Sequence, residues 1–351
     1  IPGMFATKES RGSVDFNGQI PYVSQWGDVW QLKASVRSDV YSIHNFQKPL
    51  SPLPAPQVFE DPQNEFRHRF FPQGSLNWRY PFIKFFNDTQ WVVEPAAIMV
   101  IGSQGGNSIN IPNEDSPFVT LDTTNMFLMN RFSGLDRLDT GRRAVYGVHS
   151  RHYWAAQRHI FLFLGRTKRL DNKTALLSSS GEDNKGSGVV GKIDFKPFHF
   201  IQFQSRFIMG RKGFKVDVAE STMALNLHYA SINVSHVYFN KNFSTVRTIN
   251  VPGSGVETSQ FNWNIGTASY KDVTLGYSEV RNLNAPSSQE KVLSRGLTLT
   301  HTNECLTTIV SMTRTGFHDR DLQPNTTVMI QLVFKNLGMV QLGEVLGLQT
   351  Q

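Results

Sequence analysis

The chain has 351 residues, 39% hydrophobic and 12% aromatic, with 35 Lys and Arg against 28 Asp and Glu for a formal charge of +7. No run of 18 or more apolar residues occurs, which excludes a membrane-spanning helix. A β-barrel stays open, because its strands need about 9–11 residues and are apolar on one face only. The basic residues are scattered, with no helical stripe or basic tail, so nucleic acid is not an expected partner.

The chain opens at Ile1 with neither Met nor a charged-then-apolar leader, and it is read as a fragment or processed piece. The first clear element follows: Trp30, Leu32, Ala34, Val36 and Val40 alternate with Gln31, Lys33, Ser35, Arg37 and Asp39. That period of two marks a strand with unlike faces. The Pro-rich segment 47–64 reads as a loop.

Residues 111–148, IPNEDSPFVTLDTTNMFLMNRFSGLDRLDTGRRAVYGV, are dense in Asn, Asp, Arg and Gly. Charges of opposite sign stand near one another: Asp122 with Arg131, Asp136 with Arg137, and Asp139 with Arg142 and Arg143. One reading is a long solvated loop. The other is a polar structure held inside a β-barrel, where paired charges satisfy one another.

Beyond it the polar stretch 171–188 reads as a second loop, with a turn at Asn184-Lys185-Gly186. Further turn signals stand at 210–213, 240–242 and 252–255. Between them alternation resumes at Met223, Leu225, Leu227 and Tyr229, at Phe261, Trp263 and Ile265, and at Val273, Leu275 and Tyr277. It continues at Leu297 and Leu299 and ends with Val328, Ile330, Leu332 and Phe334, proposed to face lipid. The template yields an all-β, antiparallel chain of roughly sixteen strands. No fixed-period repeat suggests a propeller or solenoid.

A soluble sandwich also alternates. The barrel is favoured because no helical segment is available to cover a face, and because aromatics gather near run ends: Trp26, Trp30, Trp78, Tyr80, Trp91, Tyr229, Tyr238, Tyr270 and Tyr277. The non-apolar faces also carry Asn, Thr, Gln and Gly rather than Lys and Glu.

Catalytic and metal chemistry find little support. Apart from the adjacent Glu114 and Asp115, the acids of 111–148 have an Arg close in sequence, which suits ion pairing better than acid–base work. His149 and His152 would point to opposite faces of a strand, so with His159 they do not make a metal site. The Gly-rich 102–107 and 253–255 lack the Lys-Ser or Lys-Thr of a phosphate loop, and no G-x-S-x-G is present. No enzyme activity, metal or cofactor is expected.

Asn113, Glu114, Asp115 and Ser116, then Asp122, Asn125, Phe127, Asn130, Arg131, Phe132, Ser133, Gly134, Asp136 and Arg137, then Gly141, Arg142, Tyr146 and Gly147 resemble the signature of the lipopolysaccharide-assembly outer-membrane protein family (LptD, also called organic solvent tolerance or OstA). The resemblance implies a transmembrane antiparallel barrel over 1–338, the C-terminal part of a larger one, with a tail over 339–351. It implies lipopolysaccharide as cargo, with sugars passing through the lumen and acyl chains leaving through a lateral seam. It also implies a plug lipoprotein (LptE-like) inside the barrel, a periplasmic bridge protein (LptA-like) reached through an N-terminal domain not seen in this chain, and outer-membrane lipid around it. Asn113, Glu114, Asp115, Asp122, Asn125, Asn130, Arg131, Asp136, Arg137, Asp139, Arg142 and Arg143 are then expected to form a luminal polar network. Cys305, in Asn303-Glu304-Cys305-Leu306, resembles the family's C-terminal Glu-Cys element and would be bridged to the N-terminal domain; Leu306 stands where many members have a second cysteine. Thr326–Gly338 resembles the closing strand. A general porin or a ligand-specific outer-membrane transporter is the alternative.

Overall fold

The computed structural model describes residues 7–46, 63–108, 110–116, 119–155, 157–176, 180–211, 215–240, 258–267, 272–284, 291–316, 324–335 and 338–343. Expected features at 47–62, 241–257, Tyr270 and 344–351 lie outside them. The first strands are β1 (Lys8–Val23), β2 (Val29–Phe46), β3 (Gln63–Arg79), β4 (Phe82–Phe86), β5 (Thr89–Gly102), β6 (Arg142–Ala155) and β7 (Arg158–Arg169). Two-residue strands β8 (Glu182–Asp183) and β9 (Gly186–Ser187) follow, then β10 (Val190–Phe198), β11 (Ile201–Met209), β12 (Val216–Asn226) and β13 (Ala230–Phe239). The series ends with β14 (Thr258–Thr267), β15 (Val273–Asn282), β16 (Val292–Thr302), β17 (Leu306–Thr315), β18 (Asn325–Phe334) and β19 (Gly338–Gly343).

All ladders are antiparallel and run between sequence neighbours, with β7 joining β10 past the small β8–β9 hairpin. β3 and β4 pair with successive parts of β5 and act as one stave interrupted at Tyr80-Pro81. Proline has no N–H to give a ladder there. Among the described residues no ladder joins β1 to β19. Residues 339–343, expected to begin a tail, instead lie in β19 and pair with β18, so Thr326–Gly338 does not hold the last strand. Val340 and Leu342 continue the period of two, in register with Leu332 and Ile330, which is why the ladder extends.

The connections alternate strictly in length. At one end of the sheet they are short: 24–28, 87–88, 156–157, 199–200, 227–229, 268–272, 303–305 and 335–337. At the other they are longer: 47–62, 103–141, 170–189, 210–215, 240–257, 283–291 and 316–324.

The two faces of the sheet are chemically inverted relative to a soluble protein. On one face Arg37, Asp39, Arg69, Arg143 and Arg169 are buried, with Asp39 and Arg143 at 0% exposure. This loop-covered face carries the described residues of 103–141 across β1–β3, β5–β7 and β10–β12. Leu121 and Met126 of that loop pack with Ile98, Val100, Val145, Phe163, Val190, Ile208 and Val218 from the strands. Ile111 packs with Tyr41 and Ile43. On the other, bare face large apolar side chains are exposed: Phe16 at 73%, with Phe70, Ile101, Leu164, Leu275, Leu299 and Ile330 in the same condition. Register aligns them, as in Ile201–Leu225–Ile232–Ile265–Tyr277–Leu297–Met312–Val328 across eight strands. Val328, Ile330, Leu332 and Phe334 share this bare face. Buried charge opposite a continuous exposed apolar surface is the reverse of what water selects.

Candidate functional site: a loop pinned to the sheet

The described residues of 103–141 contain no strand or helix, so their backbone groups need other partners. Asn and Asp side chains supply them. Asn113 Oδ1 accepts the Ser116 N–H (3.2 Å) while its Nδ2 donates to the Ser116 carbonyl (2.9 Å). Asp122 Oδ1 accepts the N–H groups of Thr124 (2.7 Å) and Asn125 (3.0 Å), and Asn125 Oδ1 accepts the Asp122 N–H in return (3.0 Å). Asn130 Oδ1 accepts the Asp139 N–H (3.0 Å). Asp136 Oδ2 accepts the N–H groups of Glu114 and Asp115, and Asp115 Oδ1 accepts those of Leu135 and Asp136, closing a reciprocal clasp. Gly134 sits against the Asp115 carbonyl, where a Cβ would overlap it. Gly141 has φ +83° and faces the Asp171 carboxylate, leaving no room for a side chain. The density of Asn, Asp and Gly is thus the cost of folding a long segment without a ladder.

Strand side chains then fasten this loop. Arg69 of β3 donates to the carbonyls of Gly106 (3.1 Å), Leu135 (2.7 Å) and Asp136 (2.7 Å). Gln73 of β3 donates to those of Met129 (3.0 Å) and Asp139 (3.1 Å). Arg143 of β6 donates to Met129 (2.9 Å), and Arg169 of β7 to Thr140 (2.8 Å). Arg11 of β1 is ion-paired with Asp136 and with Asp115 (3.3 Å). Arg69 is itself held by Asp39 (2.6 Å), which also pairs with Arg37 (2.9 Å).

Beneath the loop lies a fully buried ion cluster. Asp139 pairs with Arg131, Arg143 (3.1 Å) and Arg169 (2.9 Å); Glu182, from the next long connection, pairs with Arg131 (2.7 Å) and Arg169. All five side chains are at 0% exposure. Burial by itself would raise the Asp139 and Glu182 carboxyls, but the surrounding guanidiniums outweigh it and hold both below the usual carboxylate range. For Asp115, burial is outweighed by the N–H groups of Leu135 and Asp136, and its carboxyl is also lowered. Three arginines against two acids leave one excess positive charge, directed at loop carbonyls.

The expected Asp139–Arg143 pair is present (3.1 Å), but the other pairings differ from those expected from sequence proximity. Arg131 pairs with Asp139 and Glu182, not Asp122, whose carboxylate instead lies 3.6 Å from Arg206. Asp136 pairs with Arg11 rather than Arg137, whose backbone N–H donates to Ser116 Oγ (3.0 Å). Arg142 is outside the network: strand alternation turns Arg143 to the loop-covered face and Arg142 to the bare one, where it is exposed. Glu114 is exposed. Arg11, Arg69, Gln73, Arg169 and Glu182 are participants that sequence reasoning missed. Their only signal is position: each stands on a strand or loop that register, not sequence, brings to Asp136 and Asp139.

A cavity of about 500 Å³ opens between the loop and the sheet, lined by Gln31, Asn77, Glu94, Thr123, Phe127 and His149 among others. Cys305 lies in the short 303–305 connection, exposed, with its N–H on Asn303 Oδ1 (3.0 Å). Being the chain's single cysteine, it has no partner within the chain. Among the described residues no group of His, Cys, Asp and Glu could hold a metal ion.

The chain matches the family model described as LptD, LPS transport system D, over residues 6–271. No curated protein matches it. Among solved structures it is similar to the crystal structure of the siderophore receptor PirA from Acinetobacter baumannii, at 7% identity and a TM-score of 0.44, covering 93% of this chain and 57% of that one. The chain thus spans little more than half of that receptor. The signature that folds and fastens the loop lies wholly inside the family match, and on that match the chain belongs to the LptD family of outer-membrane proteins.

Proposed function

We propose that this chain is the barrel portion of a lipopolysaccharide translocon. The bare face meets the hydrocarbon of the outer membrane, and the loop-covered face lines a polar lumen through which the sugars pass. The acyl chains leave sideways through a seam between edge strands. The observation that supports this most is the inversion of the two faces, with paired charges buried under a fixed loop and apolar side chains left outside. In hydrocarbon every backbone group must be paired internally, which favours a closed barrel over an open sheet.

Short connections on one side and long ones on the other match periplasmic turns and extracellular loops. On that orientation the signature loop folds inward from the cell surface, and Trp30, Trp78, Trp91 and Trp154 form an aromatic belt at the periplasmic rim. Cys305 then faces the periplasm, where an N-terminal domain with its own cysteine would form a disulfide with it. A lipoprotein plug would sit in the lumen, and a periplasmic bridge protein delivers the cargo. No bond is made or broken, so no catalytic group is assigned.

Depletion in cells tests the reading. Surface lipopolysaccharide should fall while uptake of small solutes stays unchanged. Normal lipopolysaccharide display with lost solute uptake would instead identify a porin or ligand-specific transporter.

A further inference from the structure

Outside the loop site, a charged cluster stands on the bare face at the long-connection rim. Glu279 of β15 stands there at 2% exposure, accepting from the Tyr277 hydroxyl (2.7 Å), from Arg295 Nε of β16 (3.0 Å) and from Arg281 Nε. Trp263 of β14 lies opposite Glu279 and packs on Tyr277, with ring centroids 5.0 Å apart. The carboxylate is therefore enclosed and fully engaged, while the two guanidiniums stay 46% and 52% exposed.

Arg314 of β17 is the direct cross-strand partner of Arg295 and is also exposed. Like charges directly opposite one another on neighbouring strands repel. Among the described residues no acid stands between them: Glu279 lies on the far side of Arg295. Three guanidiniums against one enclosed carboxylate make a fork of net charge +2. One step along the same strands, on the same face, come Leu297 and Met312, both about half exposed, and then Leu299 and Val310. Cationic groups thus sit immediately above an apolar surface.

We infer that Arg295 and Arg314, with Arg281, bind the phosphorylated headgroup of a membrane lipid whose acyl chains lie along Leu297, Met312 and Leu299. A phosphate oxygen between Arg295 and Arg314 converts a repulsive pair into two charge-assisted hydrogen bonds, and Arg is suited to forked contact with phosphate. Glu279 positions the arginines and does not touch the lipid. An amphiphile fits better than a free anion because the apolar contact adjoins the charged one. Arg142, Arg166 and Lys168 on β6 and β7 give the same rim of the bare face the same sign.

This inference rests on the bare face meeting lipid, and the two are separable. The full-length protein in detergent is offered net-anionic, diphosphorylated lipid A or zwitterionic phosphatidylcholine, whose phosphodiester is balanced by its own choline, and retained lipid is read by native mass spectrometry. Wild type should retain lipid A, and Arg295→Gln with Arg314→Gln should weaken it by about tenfold or more, since two charge-assisted bonds are lost. The double Lys variant should recover part of the binding. Phosphatidylcholine retention should not change, and inorganic phosphate should not displace lipid A. In lipid-free detergent Arg314→Gln alone, which removes the repulsion and leaves the Arg295–Glu279 contact in place, should unfold at the same or a higher temperature than wild type; heat-modifiable gel migration checks that the Gln pair folds. Undiminished lipid A retention by a folded Gln variant overturns the inference. Displacement by inorganic phosphate overturns the lipid in favour of a free-anion site. Extraction of the protein without detergent would count against the membrane reading itself.

Discussion

Arg131 grips Glu182 with both terminal nitrogens, at 2.7 and 3.1 Å, although 51 residues separate them. The contact ties two long connections together at fully buried side chains, and Arg169 and Asp139 close it into a ring. Removing one member of such a cluster leaves an uncompensated buried charge.

Glu182→Gln should therefore destabilise the protein by about 3–5 kcal/mol. Glu220→Gln, which breaks the half-exposed pair with Arg206, should cost less than about 1 kcal/mol. Chemical unfolding followed by intrinsic fluorescence measures both. Equal, small effects would mean that the cluster is hydrated.

The same ring gives a pH dependence. Asp139 and Glu182 have carboxyls lowered in the folded protein, so their stabilisation is present above the unfolded value, about 4, and is lost as pH falls through the folded value. Resistance of the loop to proteolysis should be flat from neutral pH to about 5 and fall only below about 4. A loss centred near neutrality would point to a histidine instead.

On the bare face, Ile330→Arg or Leu332→Arg should cost about 2–4 kcal/mol if the position lies near mid-membrane. Thr298→Arg, on the opposite face of β16, should be milder. Folding efficiency into lipid vesicles ranks the three, and full tolerance at both 330 and 332 would contradict the proposed lipid contact.

Cys305 is exposed in the 303–305 turn. In the full-length protein it should resist alkylation until reduced. A thiol that labels without reductant would remove the proposed bridge to the N-terminal domain.

The strands were largely legible because each carries its own evidence. Leu297 and Leu299 against Gly296, Thr298 and Thr300 state a period of two within five residues. The run 111–148 was equally visible as a polar unit. Its wiring was not, because a charge in a folded loop answers to whatever register places beside it. Arg143 lies opposite Arg169 through the β6–β7 ladder, a clash that Asp139 resolves by pairing with both. The second acid of the cluster, Glu182, pairs with Arg131 and Arg169 and lies inside the 171–188 stretch, whose composition resembles any solvated loop. Arg142 was grouped with Arg143 by adjacency, yet adjacency on a strand separates side chains.

The Arg11 contact gives β1 a tether. Among the described residues this strand has a ladder on one side only, through β2, and its guanidinium also reaches down to Asp136 and Asp115 in the clasp of the loop. Swinging β1 outward would strip Asp136, 3% exposed, of its counter-charge. A molecule that pried the clasp apart from within would, by the same linkage, loosen the strand, and one that drew the strand aside would slacken the clasp.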